Sequence, residues 1–337
     1  ENIFMKILHV TSDNKPGGIQ KAFEAYLSAL IPISSFENFY FAPQSLVINK
    51  HQKNLVHIDM SWLQKTLIRR GLFLPVQQFP NNSFNISFVH NGFMCKAIKR
   101  FSDKVVGICH NDKPKQFRHA DYLICLSPNA VEKAKNTGRS DKTLFLLPNY
   151  FEPKKIVCRN NRARQKLTIG AAGRFVEKKG FKTFIDVAAR IKQEFPEIDF
   201  VLAGDGPLSK QLRKFSDSKG NPVRFTGWMD IEKFAPSIDI FCLPSLDEPF
   251  GYILPEMMQF GVAIVSSRTN GPLWICKGSE NALFFEPSDR DEMFRCLKTF
   301  IQNPKERKKY QKRAKKVICE KRFSKHLFAE RLVSFIK

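Results

Sequence analysis

The chain has 337 residues, and its 55 Lys and Arg against 32 Asp and Glu give a formal net charge of +23. At about 150 residues per domain, this length predicts roughly two domains, each large enough to bury a core. With 43% hydrophobic and 26% charged residues, the composition is globular and excludes a disordered chain. The eight cysteines are scattered without a C-x-x-C pair, which excludes a zinc ribbon and favours reduced thiols in a cytosol.

No apolar run approaches the roughly 18 residues that span a membrane. The apolar stretch within the first ten residues is also too short for a signal peptide. The positive charge suits nucleic acid, anionic lipid or phosphorylated small molecules, and a dispersed, solvated, lysine-rich surface is the alternative. Composition alone leaves these alternatives open.

The first half of the sequence begins with an apolar stretch over 5–11 that predicts a buried strand. Pro16-Gly17-Gly18 follows, and residues 19–30 then carry apolar side chains at helical spacing. Short continuous apolar runs, which are typical of strands buried on both faces, continue at 86–89, 105–108, 122–126 and 145–147.

The second half repeats this order. Residues 167–173 predict a strand, 174–180 a glycine-bearing loop and 181–194 a helix. Further apolar runs lie at 199–203, 223–225, 238–243 and 262–265. A strand, a glycine loop and a helix in each half predict an α/β protein of two doubly wound parallel domains.

The polar, basic stretch between Pro148 and Arg164 shows no periodicity and predicts the domain boundary. We therefore expect a first domain over 5–155 and a second over 165–305. Residues 306–337 are helical in composition and dense in Lys and Arg, and we expect them to form closing helices that pack back on the first domain.

The loop after the strand at 167–173 has the residue types of a phosphate site. Gly173 and Gly180 allow the backbone to approach a phosphate, and Arg174 and Lys179 are close enough in sequence to bind a diphosphate together. The loop matches neither the G-x-G-x-x-G fingerprint nor a Walker motif. An ordinary surface turn with lysines is the alternative.

The segment from Leu243 to Glu256 begins at a strand end, where open α/β sheets bind ligands. Glu248 falls in the predicted loop, and Glu256 falls in a helix that we expect to begin near Gly251. Two carboxylates on either side of such a turn can face one crevice and accept hydrogen bonds from hydroxyl groups. A helix-capping glutamate and a solvent-facing one are the alternative.

Four motifs follow one another along the chain: GR…KG at 173–180, FVLAGDGP at 200–207, FTG at 225–227 and PSLDEPFG…E at 244–256. Their order, with glutamates spaced as in an E-x7-E motif, resembles that of the family 4 retaining glycosyltransferases. The resemblance covers essentially the whole chain and is strongest over about 168–287.

Three elements of the first half also resemble that family. Asn149, after Pro148, resembles its P-N element. Gly17-Gly18 resembles its first glycine loop, and His110 resembles its histidine near the cleft. The resemblance implies a GT-B enzyme, in which two Rossmann-like domains with parallel sheets face each other across a cleft. A nucleotide sugar would bind mainly to the second domain.

By position, the resemblance assigns the donor diphosphate to Arg174 and Lys179, which would stabilise the charge of the leaving nucleotide. Glu256 would bind the ribose hydroxyls and Glu248 the sugar hydroxyls. The family needs no divalent metal, so no metal and no other cofactor is expected. UDP is the nucleotide that we expect in the donor.

The remaining donor contacts would come from the backbone. Gly173 and the amides of Phe250, Gly251 and Tyr252 would lie against the sugar or its phosphates. His110 would lie against the donor sugar or the reaction centre, and Gly17 and Gly18 would leave room for the donor and the acceptor. His110, Glu248, Arg174 and Lys179 are therefore the catalytic candidates, and His90, at another strand end, is a second histidine candidate.

Two positions depart from the family pattern. Pro255 falls about four residues into the predicted helix and would shift Glu256 if the first turn does not accommodate it. Gly271-Pro272 stands where many relatives have Gly-Gly, a variation that related lipopolysaccharide enzymes share. Neither departure removes a proposed catalytic group.

The function that the resemblance implies is transfer of a sugar from a nucleoside diphosphate to a glycan or glycolipid, in lipopolysaccharide or other envelope polysaccharide synthesis. A sugar-nucleotide epimerase or a phosphorylase of GT-B fold is the alternative. A basic nucleic-acid-binding protein without enzymatic activity is the further, less favoured alternative. It would need stacking aromatics among its cations, but the 32 Phe lie mainly in core-like positions, so we expect no nucleic-acid partner.

We expect a cytoplasmic protein that is peripheral on the cytoplasmic face of the inner membrane. The stretch 61–74 mixes Trp, Leu and Phe with Lys and Arg, and such a helix can lie at an anionic bilayer surface. A core-facing helix with a solvated basic face is the alternative.

Overall fold

The computed structural model describes residues 4–13, 17–43, 55–57, 61–70, 83–111, 113–153 and 166–337. Contacts divide the chain into two compact units, one of Glu1–Tyr150 with Arg322–Lys337 and one of Phe151–Lys321. We call them unit 1 and unit 2. Each is built on one parallel β-sheet with helices packed on it.

The strands, in chain order, are β1 (Met5–Val10), β2 (Phe36–Ala42), β3 (Leu55–His57), β4 (Phe84–Val89), β5 (Ser102–Cys109), β6 (Tyr122–Cys125), β7 (Leu144–Leu146), β8 (Thr168–Ala172), β9 (Asp199–Ala203), β10 (Arg224–Gly227), β11 (Ile240–Leu243), β12 (Ala263–Ser267) and β13 (Leu283–Phe285). The helices are α1 (Gly18–Leu30), α2 (Trp62–Arg69), α3 (Cys95–Ile98), α4 (Pro128–Lys135), α5 (Phe181–Glu194), α6 (Ser209–Asp217), α7 (Ile231–Phe234), α8 (Ile253–Gln259), α9 (Asn270–Ile275), α10 (Arg290–Gln302), α11 (Pro304–Val317) and α12 (Lys325–Ile336).

Unit 1 contains a parallel sheet in the order β3-β2-β1-β4-β5-β6-β7. Strands β2 and β3 follow β1 on one side of the sheet, and β5, β6 and β7 follow β4 on the other side. The strand order therefore reverses between β1 and β4. Helix α1 packs on the sheet with one apolar face, which includes Phe23, Tyr26 and Leu30. This reversal point is where open α/β sheets bind ligands.

Helix α12 also belongs to unit 1. It packs on α1, where the rings of Phe328 and Tyr26 lie edge to face with centroids 5.1 Å apart. Further along the same helix, Phe335 packs against Phe145 of the edge strand β7 with ring centroids 5.0 Å apart. The closing residues expected as one segment over 306–337 thus divide between the units, because α11 packs on β12 and α8 of unit 2.

Unit 2 contains a parallel sheet in the order β10-β9-β8-β11-β12-β13, which reverses between β8 and β11. Helix α5 covers one face of it, and its buried Phe184, Ile185 and Ile191 join the core formed with the strands. The predicted helix over 181–194 is observed at those residues. Two parallel sheets with helices confirm the predicted α/β class.

Several predictions fall on residues outside the described ranges. Within the boundary stretch 149–164, residues 154–164 are not described. Within the stretch 61–74, α2 is described as a helix, but residues 71–74 and the side chains of Trp62, Leu63, Lys65 and Arg69 are not. No helix in the described ranges is both long enough and apolar enough to cross a bilayer.

Candidate functional site

The carboxyl ends of β9, β8, β11 and β12 lie side by side in unit 2, in the order of the sheet. They lead into four loops over 204–208, 173–180, 244–252 and 268–269. The loops after β8 and β11 border the point where the strand order reverses. The geometry of open α/β sheets therefore favours these two loops as the ligand-binding edge.

The loop after β8 packs backbone to backbone against the loop after β11. The Leu246 amide donates a hydrogen bond of 2.7 Å to the Lys178 carbonyl. Gly180 has φ of +64°, and a Cβ on it would lie 2.0 Å from the carbonyl oxygen of Pro244. Only glycine fits such a contact, so this motif glycine joins the two loops.

The loop after β9 packs on the other side of the loop after β8 in the same way. The Phe175 amide donates a 2.8 Å hydrogen bond to the Asp205 carbonyl. Gly204 has φ of +130°, and a Cβ on it would lie 1.9 Å from the carbonyl oxygen of Gly173. The loop that carries Arg174 and Lys179 is therefore held by its neighbours on both sides.

Lys179 and Glu248 form an ion pair between the loops after β8 and β11, through a hydrogen bond from Nζ to Oε2. Their side chains are only 17% and 11% exposed, respectively. The Ser245 hydroxyl donates to the same carboxylate oxygen at 3.4 Å. An ammonium group has three donors, so this pair leaves Lys179 with donor capacity for a bound anion.

The Glu248 backbone is fixed as well. Its carbonyl accepts a 2.8 Å hydrogen bond from the amide of Gly271, which follows β12. Gly251 has φ of +86°, and a Cβ on it would lie 3.0 Å from Glu248 Cγ. A side chain at position 251 would thus press on the glutamate, which explains the glycine in this motif.

Arg174 lies on the same loop as Lys179 and is exposed. Within the described ranges, no carboxylate forms an ion pair with its guanidinium. The loop over 173–180 carries three cations and one carboxylate, so it keeps a net positive charge after Glu248 neutralises Lys179. A planar guanidinium beside an ammonium suits the oxygens of a diphosphate.

The turn before α8 carries the predicted backbone donors. Phe250 is buried, and its ring packs edge to face on that of Tyr252 with centroids 4.9 Å apart. The amides of Phe250 and Gly251 donate to no other residue in the described part of the chain. They are therefore available to a ligand at this edge.

Helix α8 begins at Ile253, two residues after Gly251, near which a start was predicted. The positive φ of Gly251 lies outside the helical region and delays the start. Pro255 consequently falls in the first turn, where its missing N–H removes no hydrogen bond of the helix. Glu256 also lies in this first turn and is half-buried.

The corresponding edge of unit 1 carries the other predicted residues. The His90 amide donates to the Val10 carbonyl at 2.9 Å, which joins the ends of β4 and β1. Oδ1 of Asn91 accepts hydrogen bonds from the Ser12 amide at 2.7 Å and the Thr11 hydroxyl at 3.3 Å. These contacts hold the two loops together at the reversal point of this sheet.

Gly17 and Gly18 begin α1 close to that point. Gly17 is the residue before the first helical turn and has an extended backbone, with φ of 170°. Among the described residues, a Cβ added to Gly17 would meet nothing within 4 Å. The fold of unit 1 therefore does not require a glycine at position 17.

His110 follows β5, and its Nε2 lies 2.9 Å from Nδ1 of His90. Burial lowers the pKa of His110 to about 3. Burial also lowers the pKa of His90, with smaller contributions from His110 and His9. In β1, burial lowers the pKa of His9 to about 4, against a hydrogen bond from its Nε2 to Oδ1 of Asn38 at 3.0 Å. All three imidazoles are therefore neutral near pH 7.

Each unit thus collects its own set of predicted residues. Unit 2 holds Gly173, Arg174, Lys179, Glu248, Phe250, Gly251, Tyr252 and Glu256, and unit 1 holds Gly17, Gly18 and His110. The sequence interpretation gave His9 no functional role and treated His90 only as a second candidate. A signal for the His90–His110 pair was present, because the neighbouring strands β4 and β5 both run into a His-Asn dipeptide.

Residues 154–317 match the family model of the glycosyl transferases group 1. The chain is 30% identical over 195 residues to the lipopolysaccharide core biosynthesis glycosyltransferase LpsE of Rhizobium meliloti (strain 1021), an alignment that covers 55% of each protein. The chain thus spans about half the length of the curated relatives that it resembles in sequence.

Solved structures resemble the chain over nearly its whole length. HepE of Anabaena in complex with UDP-glucose gives a TM-score of 0.78 at 17% identity, covering 98% of this chain and 99% of that one. The lipopolysaccharide outer core galactosyltransferase WaaB gives 0.72 at 20% identity, with the same coverage of 98% and 99%. At these identities the likeness concerns the fold, which confirms the predicted GT-B class.

The matched segment includes the loops after β8 and β11 in full, with the Lys179–Glu248 pair between them. The resemblance inferred from the motifs and the match of the family model therefore agree. Residues 154–317 of this chain thus resemble the glycosyl transferases group 1 family.

Proposed function

We propose that the chain is a retaining glycosyltransferase that moves a sugar from a nucleoside diphosphate to a glycan or glycolipid acceptor. The observation that carries this proposal is the Lys179–Glu248 pair at the reversal point of the unit 2 sheet, with the exposed Arg174 on the same loop. This edge offers two cations and two unused backbone amides to an anion. A sugar diphosphate has the charge that such a set would bind.

In this reaction Arg174 and Lys179 bind the diphosphate of the donor. Negative charge grows on the departing nucleoside diphosphate as the glycosidic bond breaks, so fixed cations at that point lower the barrier. These two side chains act in place of a divalent metal, and we expect the reaction to need none. We also propose UDP as the nucleotide, which is supported by the similarity of fold to a protein solved with UDP-glucose.

The carboxylates bind hydroxyl groups of the same donor. Glu248, held by Lys179 and Ser245, accepts hydrogen bonds from the sugar, and Glu256 accepts them from the ribose. Gly173 and the amides of Phe250, Gly251 and Tyr252 contact the sugar or its phosphates. In unit 1, His110 contacts the donor sugar or the reaction centre, and Gly17 and Gly18 leave space for the substrates.

The acceptor is a growing envelope polysaccharide, with lipopolysaccharide core as the main case, since LpsE is a relative by sequence. We propose that the protein works in the cytoplasm, peripheral on the inner membrane. Helix α11 supports this placement with a row of exposed cations at Lys305, Lys308, Lys309, Lys312, Arg313, Lys315 and Lys316. Such a row attracts an anionic bilayer at low salt and loses the attraction as salt rises.

The test is a panel of nucleotide sugars, with UDP, GDP and ADP donors, assayed for binding and slow hydrolysis with wild type, Arg174→Ala, Glu256→Ala and Lys178→Ala. Lys178 is an exposed lysine on the same loop whose side chain has no assigned role, so its variant is the matched control. We expect one donor to be turned over, with kcat lowered by roughly 10²-fold in Arg174→Ala and unchanged in Lys178→Ala. Glu256→Ala should raise KM.

Product analysis separates this proposal from its alternatives. Anomeric configuration, measured by NMR on the transferred sugar, is expected to match that of the donor. A free epimerised sugar nucleotide in the absence of acceptor would indicate an epimerase, and a sugar phosphate formed from a glycan and phosphate would indicate a phosphorylase. Binding of none of the donors would overturn the proposal.

A further inference from the structure

The rings of His90 and His110 form a hydrogen-bonded pair at the ends of two neighbouring strands of unit 1. Nδ1 of His90 and Nε2 of His110 are 2.9 Å apart. The ring planes are inclined by only 18°, with centroids 5.0 Å apart. The position of His90 is fixed by its own backbone, which donates to Val10.

We propose that His90 is a positioning residue that fixes the tautomer of His110, so that His110 carries its proton on Nδ1 and presents an N–H donor there. The tautomer of His110 is set within the protein and can be measured without a substrate. That this N–H group binds the sugar of a nucleotide sugar rests on the function proposed above.

The first step of the argument is that the pair needs one donor and one acceptor. Both imidazoles are neutral, because burial lowers the pKa of each. A neutral imidazole has one N–H and one bare nitrogen. The contact between Nδ1 of His90 and Nε2 of His110 can therefore form in two ways, which differ in the position of both protons.

The second step asks what each of the two proton arrangements requires at Nε2 of His90. Nε2 of His90 is buried and has no hydrogen-bond partner in the described part of the chain. If His90 accepted from His110, Nε2 would carry a buried N–H without an acceptor. If His90 donates through Nδ1, Nε2 is bare, and an unfilled acceptor is the more tolerable state inside a protein.

Two aromatic side chains pack on His90. Phe23 and Tyr26 make T-shaped contacts with the His90 ring, at centroid distances of 5.2 Å and 5.4 Å. The Tyr26 hydroxyl is itself buried without a partner among the described residues, so it does not serve Nε2. His90 therefore donates from Nδ1, and Nε2 of His110 accepts.

The consequence falls on the free nitrogen of His110. With Nε2 occupied as an acceptor, the proton of His110 must be on Nδ1. This is the minor tautomer of a free histidine side chain, and the hydrogen bond from His90 makes it the major one. His110 is half-buried, whereas His90 is 2% exposed, so His110 is the member of the pair that can meet a substrate. It would act there as a hydrogen-bond donor and not as a base.

The test is long-range ¹H–¹⁵N NMR of protein labelled in the histidine rings, at pH 7.5, with His110→Gln to assign the resonances. In wild type we expect a pyrrole-type shift at Nδ1 of His110 and a pyridine-type shift at Nε2. His90→Phe should return His110 to the Nε2–H tautomer. His90→Asn should keep the Nδ1–H tautomer, because the Asn amide can donate from a similar position. The exposed His326, as His326→Gln, is the matched control.

The kinetic readout is the split between kcat and KM for whichever donor the panel of nucleotide sugars identifies. We expect kcat to fall 10- to 100-fold in His90→Phe with KM changed less than threefold, and His90→Asn to recover most of the loss. A wild-type spectrum with the proton on Nε2 of His110 would overturn the inference, even if His90→Phe does not fold. The expected spectrum with no transfer of any sugar would instead overturn the proposed function and leave the tautomer assignment intact.

Discussion

Lys179 donates a hydrogen bond through Nζ to Oε2 of Glu248 from the neighbouring loop, at the point where the strand order of unit 2 reverses. The cation expected to meet the donor diphosphate and the carboxylate expected to meet its sugar therefore belong to one pair. Each holds the other in place before any ligand binds, which reduces the reorganisation that binding requires.

The coupling in this pair can be measured with Lys179→Met, Glu248→Gln and the double variant. Each single change leaves a mostly buried group without its partner, and we expect a loss of about 2–4 kcal/mol in the free energy of unfolding. The double variant should lose less than the sum of the two, by about 1–2 kcal/mol. Urea denaturation followed by fluorescence measures all four proteins. Strict additivity would mean that the pair has no net coupling.

Gly180→Ala should destabilise unit 2 strongly. The substitution puts a Cβ 2.0 Å from the Pro244 carbonyl oxygen at a φ of +64°. Gly220→Ala, in the same unit, is the control, because its φ is +77° but nothing lies within 4 Å of the added atom. We expect about 1–2 kcal/mol for Gly220→Ala from the backbone alone and clearly more for Gly180→Ala. Equal losses in the two variants would show that the loops can separate without cost.

The buried histidines should make unit 1 sensitive to acid. The folded-state pKa of His9 is about 4, whereas the unfolded chain has the ordinary value near 6.5, so the unfolded state binds more protons between these values. Stability is therefore fully present above pH 6.5 and falls as the pH drops toward 4. By pH 5, His9 alone should lower the free energy of unfolding by about 2 kcal/mol.

The variant that checks this is His9→Gln, whose amide can keep the hydrogen bond to Asn38. It should flatten the loss of stability between pH 7 and pH 5. His326→Gln should leave the profile unchanged, since the side chain of His326 is 82% exposed. Identical pH profiles for wild type and His9→Gln would show that His9 does not control the acid sensitivity.

Gly17→Ala tests whether a glycine at this position is required for folding or for substrate binding. The extended backbone at Gly17 accepts any residue, and the added Cβ meets open space, so we expect the melting temperature to change by less than about 2 °C. If a substrate occupies that space, kcat/KM for transfer should fall at least tenfold. Steady-state kinetics with the donor that the panel identifies measure this change. An unchanged kcat/KM would show that Gly17 does not belong to the site.

Much of the fold was predictable because most inner strands of the two sheets are continuous apolar runs. The run at 238–243 contains β11, and the run at 262–265 overlaps β12. Strand β2 was not predicted, because Glu37 and Asn38 interrupt its aromatic residues. The structure gives the reason for Asn38, whose side chain is the hydrogen-bond partner of the buried His9.

The candidate site was predictable as a set of residues but not as a set of contacts. Motif spacing identifies Lys179 and Glu248, yet the two are 69 positions apart, and their pairing follows only from the neighbouring positions of β8 and β11. The same holds for His90 and His110. A repeated His-Asn pattern indicates strand ends, whereas the ring contact depends on parallel pairing of β4 with β5.

The backbone contacts on both sides of the loop after β8 also limit how this scaffold can diversify. An inserted or deleted residue there would displace Gly180 from Pro244 and Gly204 from Gly173 at the same time. We therefore expect this loop not to tolerate a change in length. If the proposed function holds, we expect a change of sugar preference to come from exchanged side chains, and Leu246, 39% exposed beside Gly180, is one position to test. Saturation mutagenesis at Leu246 and an insertion scan over 173–180 should therefore give opposite patterns of tolerance.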